Sequence, residues 1–207
     1  MLKHCIILNG PPGSGKDTIA NLMTELPYPK FNKHQFKEQL YIDTALYFGV
    51  DVYTFVDRAT NRANKEVKWL DLKLPFNQIL TPREALIHVS ENVIKPKHGN
   101  SYFGDAAAQA CIKANSQYAV FSDGGFIEEI KSLLPIYEHV HLIHLHREGF
   151  DFSNDSRNYV MDFPDITQRL TLIDGKPHDA VNKILEMTNV YDRPTQEEVL
   201  ASLLAYR

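Results

Sequence analysis

The sequence predicts an α/β fold of three layers, a five-stranded parallel sheet with helices on both faces and a helical insertion. Three observations lead there. The chain opens with a strand, a glycine-rich turn and a helix. Apolar runs of strand length then alternate with amphipathic stretches, the pattern of parallel strands joined by helical crossovers. Charged and glycine-containing turns fall where the strands end, the edge at which such sheets bind ligands.

The opening unit is the sharpest signal. Cys5, Ile6, Ile7 and Leu8 form an apolar run, and residues 10–18 follow as GPPGSGKDT. Ile19, Leu22, Met23 and Leu26 then recur at helical spacing. Gly10, Gly13, Ser14, Gly15, Lys16, Asp17 and Thr18 together make a phosphate-binding loop. Its glycines let successive N–H groups turn inward around phosphate oxygens, and the helix start adds its positive end. Lys16 places a cation on the outer phosphates. The pattern departs at Asp17, which stands where Ser or Thr ordinarily helps hold magnesium. Asp17 either holds the ion, directly or through water, or faces the second substrate.

Later elements follow in order. A short second strand is expected within residues 30–35, and a helix carrying Phe36, Leu40 and Tyr47 runs toward Gly49. Residues 51–77 hold Arg58, Arg62, Lys65, Lys68 and Lys73 around the only tryptophan, Trp69, and read as an exposed insertion. Thr81, Pro82 and Glu84 spell a capping box with proline at the first helical position. The helix they start, buried on Leu86, Val89 and Val93, is expected to stop near Pro96. Arg83 opposes that helix's dipole, so it is either a solvated arginine or shares a bound anion with the first-turn amides. Tyr102 and Phe103 read as exposed in a loop, with Asp105 capping a helix to about Ala114.

A strand over residues 117–122 ends in Asp123, Gly124 and Gly125, where this fold places an acid that orients magnesium. A helix follows with Ile127, Ile130, Leu133 and Leu134 on one face. Residues 139–146 read HVHLIHLH; His139 and His141 share one face of a strand, and His144 and His146 the other. That split favours a polar-edged strand over a metal site. Arg147 lies just past it, and a polar stretch with Arg157 reads as a lid-like loop over residues 147–165. A last strand is expected over residues 170–173, closed by Asp174 and Gly175. Two helices end the chain, the first on Ala180, Val181, Ile184 and Leu185, the second capped by Thr195 and Glu198.

The 207 residues suit one domain, with residues 50–104 as the insertion. Hydrophobic residues make up 43%, enough for a core. A net charge of -4 gives no basic character to argue for nucleic acid. Cys5 and Cys111 fall in a strand and a helix and read as free core thiols of a reducing compartment. No apolar run is long enough to span a membrane, and the first strand begins too early to leave room for a leader. A cytoplasmic protein is expected, as monomer or homodimer.

GPPGSGKDT is similar to the loop of adenylate kinases, and the run from Asp123 to Phe126 resembles their Asp-Gly-Phe segment, without the Pro-Arg that follows it there. A closer resemblance is to the bacteriophage deoxynucleoside monophosphate kinases. It lies in Gly15 to Thr18, Phe36 to Leu40, Pro82 to Leu86, Ser90-Glu91, Lys95-Pro96, Tyr102 to Gly104, Phe121 to Asp123 with Gly125-Phe126, His146 to Gly149, and Asp155 to Arg157. It covers residues 1 to about 160. The resemblance implies a P-loop kinase fold and transfer of the ATP γ-phosphoryl to a (deoxy)nucleoside 5′-monophosphate. It implies Mg2+ near Asp17 and Asp123, mostly through water, and small-molecule nucleotides as partners. Lys37, Arg58, Arg62 and Arg83 would serve the acceptor, and Arg147 and Arg157 would cover the transferring group. Such an enzyme would work in the cytoplasm, that of the host for a phage protein. A P-loop kinase for another metabolite, such as dephospho-coenzyme A or a sugar acid, shares the donor features. A nucleotide-hydrolysing switch or a non-catalytic binding module shares the loop alone.

Overall fold

The computed structural model describes residues 1–153 and 157–190. The expected final cap, Thr195 with Glu198, and the matched Asp155 and Ser156 lie outside the described residues.

Five parallel strands form the sheet in the order β2-β5-β1-β6-β7. They are β1 (Leu2–Asn9), β2 (Phe31–His34), β5 (Tyr118–Phe121), β6 (Tyr137–His146) and β7 (Thr167–Thr171). Central β1 pairs with β5 and β6, so Ile6 lies beside Val120 and His141. Its two faces feed two cores. Ile6 and Leu8 pack with Ile19 and Met23 of α1 (Lys16–Glu25) and with Ile184 and Leu185 of α8 (Pro177–Met187). Cys5 and Ile7 pack with Ala108 and Cys111 of α6 (Tyr102–Lys113) and with Ile130 and Leu133 of α7 (Ile127–Leu133). Burial on both faces is why β1 reads as a continuous apolar run rather than an alternating one. Both cysteines are free and buried.

Between β2 and β5 the chain builds a third core. It joins Tyr41 and Ala45 of α2 (Glu38–Phe48), Phe55 and Ala59 of α3 (Val52–Thr60), Trp69, Leu72, Leu80, and Ala85 of α4 (Pro82–His88). A small hairpin of β3 (Lys73–Leu74) and β4 (Gln78–Ile79) precedes α4. Trp69 is therefore a buried centre of the insertion rather than part of an exposed segment.

Three boundaries differ from expectation. The helix after the capping box does not end at Pro96. It widens into a π turn (Val89–Ile94) and resumes as α5 (Lys95–His98), with Pro96 in its first turn. Proline lacks an N–H and crowds the carbonyl four residues back, and the wider turn accommodates both. Helix α6 starts at Tyr102, three residues before Asp105, because Phe103 is buried rather than exposed. Asp105 instead accepts a hydrogen bond from Ser132 Oγ at 2.7 Å. The last strand comes earlier than residues 170–173, its register set by Leu170 opposite Leu145. The strand histidines keep to the two faces expected. His141 stacks on His4 and His139 packs against it at a tilt, while His144 and His146 meet Val160 O and the Tyr159 hydroxyl. No helix among the described residues is long and apolar enough to cross a membrane.

Candidate active site

The loop after β1 is anchored from below. Asn9 is buried, donates to Gly124 O at 3.0 Å and accepts from Val160 N at 3.0 Å, tying the ends of β1, β5 and the 157–160 segment together. Gly13 and Gly15 hold φ of 79° and 97°, left-handed values that favour glycine. Among the described residues, the N–H groups of Gly13, Gly15, Asp17 and Thr18 find no main-chain acceptor. Ser14 Oγ is buried beside Gly10, also without a hydrogen-bond partner. Lys16 folds its ammonium back onto Gly10 O at 2.6 Å and Pro11 O at 2.8 Å. Unsatisfied amides, an orphan hydroxyl and a cation at a helix start fit a bound polyphosphate.

Two carboxylates stand at the adjacent strand ends. Asp17 accepts from Ser122 Oγ at 2.7 Å and Lys33 Nζ at 3.1 Å. Burial acts against its charge, but these hydrogen bonds and the charges of Lys33 and Lys37 prevail and hold its carboxyl below the usual range. Asp123 accepts the main-chain N–H groups of Phe36 at 3.1 Å and Lys37 at 3.2 Å. Burial raises its pKa, with Lys37, those amides and Arg157 acting in the opposite direction. Each oxygen of Asp123 retains a second lone-pair direction, so Asp17 and Asp123 fit a divalent ion held largely through water.

Glu129 is the carboxylate that sequence reasoning missed. Its Oε2 accepts from Gly125 N at 3.4 Å and Phe126 N at 3.2 Å at the start of α7. Burial first, and then the charge of Asp123, push its pKa up to about 8. Lys33 and Ser122, the partners of Asp17, were also missed. Each reaches the site from another element, and only the strand ends themselves could have signalled them.

Of the cations singled out, Lys16, Lys37, Arg147 and Arg157 converge on the strand ends. Lys37 is drawn toward Asp123 and Tyr41. Arg157 packs its stem on Gly125, where an added Cβ would lie 2.8 Å from its Cδ, and its charge acts on Asp123 and Glu129. Arg147 donates to Gly13 O at 3.0 Å and to Asp174 Oδ1 at 2.7 Å, and covers the Phe150 ring at 4.5 Å. The other three lie in the insertion. Arg58 stacks on Trp69 at 4.4 Å, Arg62 is exposed, and Arg83 pairs with Glu66 at 3.2 Å. The Thr81 capping box is present in full, with both reciprocal hydrogen bonds to Glu84.

No family model matches the chain, and no curated protein does. Among solved structures, it is similar to an unliganded sugar kinase from Janibacter sp. HTCC2649 at 13% identity and a TM-score of 0.48, over 92% of this chain and 96% of that one.

Proposed function

We propose that the protein transfers the γ-phosphoryl of ATP to a (deoxy)nucleoside 5′-monophosphate, giving ADP and the diphosphate. The observation that carries this reading is the meeting of two anion-binding features on neighbouring strands. The amide-lined loop with Lys16 follows β1, and the Asp123 turn, with Lys37 and Arg157 beside it, follows β5.

The residues supply positioning and charge, which is most of what phosphoryl transfer asks of a protein. The loop amides and Lys16 hold the β- and γ-phosphates. Lys16 must leave Gly10 O and Pro11 O to do so, and the phosphate oxygens replace those acceptors. Asp17 and Asp123 would hold Mg2+, which would supply positive charge against the negative charge of the phosphates. Arg157, beside Asp123 and Gly125, would cover the transferring group, and Arg147 with Phe150, already seated on Gly13, would exclude water from the loop.

A coupled assay of ADP formation against a panel of ribo- and deoxyribonucleoside monophosphates tests the reading. Transfer to at least one of them is expected, and Lys16→Ala should abolish it while leaving the circular-dichroism spectrum and melting temperature intact. ATP hydrolysis that no monophosphate stimulates would sink the proposal.

A further inference from the structure

The geometry points to Lys95 as the cation that receives the 5′-phosphate of the acceptor. This rests on the monophosphate-kinase reading above and adds a residue to it.

Lys95 opens α5, just after the π turn. Its ammonium lies 2.5 Å from Glu91 Oε1, the same oxygen that accepts from Ser90 Oγ at 2.9 Å. An ordinary i,i+4 pair on a helix surface holds two solvated side chains and fixes neither firmly. Here the lysine side chain is only 22% exposed, and its ammonium stands 5.3 Å from the centre of the Phe126 ring. Its position is thus set from outside its own helix, by a residue of the turn that follows Asp123. Arg157 packs on Gly125 of that same turn, and the charge of Lys37, whose main-chain N–H also binds Asp123, acts on that carboxylate. Three cations from separate stretches of the chain therefore act on one carboxylate–glycine turn.

An ammonium has three N–H donors, and Glu91 takes one. The others suit a compact, doubly charged phosphomonoester, the group that distinguishes the acceptor from its unphosphorylated nucleoside. Glu91 acts as a positioning residue that holds the lysine in place.

The test uses the full chain and the monophosphate on which wild type is most active. Lys95→Met keeps the apolar stem against Phe126 and removes the charge. It should raise the acceptor KM at least tenfold and leave the ATP KM within about twofold. Calorimetric titration should show that it removes most of the affinity difference between the monophosphate and its nucleoside. Lys95→Arg should recover part of the loss. The double variant Glu91→Gln/Lys95→Met should retain the raised KM, since otherwise the effect comes from a stranded Glu91 charge and the proposal fails. An unchanged acceptor KM in a folded, active Lys95→Met protein overturns the assignment of Lys95 alone. Wild type that transfers to no monophosphate overturns the function and this inference together.

Discussion

Arg83 opens a helix whose dipole opposes its charge, and Glu66 answers that charge across the loop at 3.2 Å. A bound anion is then no longer needed to account for the residue. Both side chains are about half exposed, and such pairs contribute about 0–1 kcal/mol. Arg83→Ala should therefore lower the melting temperature by no more than a few degrees and leave the acceptor KM within about threefold. A tenfold rise in that KM would return Arg83 to the acceptor site. The contrast with Lys16 shows what single residues reveal in advance. Lys16 was legible because its meaning lies in its immediate neighbours, Gly10 to Gly15. Arg83 was ambiguous because its partner, Glu66, lies on a loop of no regular period. Glu129 binds amides only three and four residues before it, but its burial beside Asp123 and Arg157, like the contact of Lys95 with Phe126, comes from packing that no local pattern encodes.

At the scale of elements, the phosphate loop and the segment after β6 form one unit. Gly13 carries a left-handed φ, and a Cβ there would lie 2.7 Å from Cε1 of Phe150. Gly13→Ala thus meets two costs, the conformational one of about 1–2 kcal/mol and a steric one from Phe150. A double-mutant cycle separates them. Gly13→Ala should cost more melting temperature and more ATP affinity in wild type than in a Phe150→Ala background, where only the conformational part remains. Equal losses in both backgrounds would mean that Phe150 does not seat on the loop. The glycine was legible as a turn residue, but its partner was not. The π turn before Pro96 was hidden for a related reason. Proline signals a break, and only the packing of Val89 and Ser90 shows that the chain continues instead.

Across the whole molecule, the alternation of strands and helices was legible because β1 and β5 are buried on both faces and so must be apolar throughout. The same burial places ionisable groups at both margins of the sheet and links stability to pH. On the α1 and α8 face, His141 meets His4 at 3.2 Å, with the His139 ring tilted against His4 and Glu138, Asp165 and Gln168 lining the same cavity. Burial first, then the charges of His4 and His139, lower His141 from 6.5 to about 4. The unfolded chain takes up a proton below about 6.5 that the folded chain refuses until about 4. This contribution is therefore complete above the upper value and lost as pH falls through the window, by at most about 3 kcal/mol. Glu129 has the opposite sign. Its pKa rises from 4.5 to about 8, so the folded chain keeps a proton that the unfolded chain releases, and stability falls as pH climbs through that range. Melting curves from pH 4 to 9 separate the two. His141→Gln should lose less melting temperature than wild type between pH 7 and 4.5. Glu129→Gln still accepts from the Gly125 and Phe126 amides through its carbonyl oxygen, so it should match wild type near pH 5 and exceed it near pH 9. A Glu129→Gln curve parallel to wild type across the whole range would show that Glu129 ionises freely, and would remove the proton from beside Asp123 and Arg157.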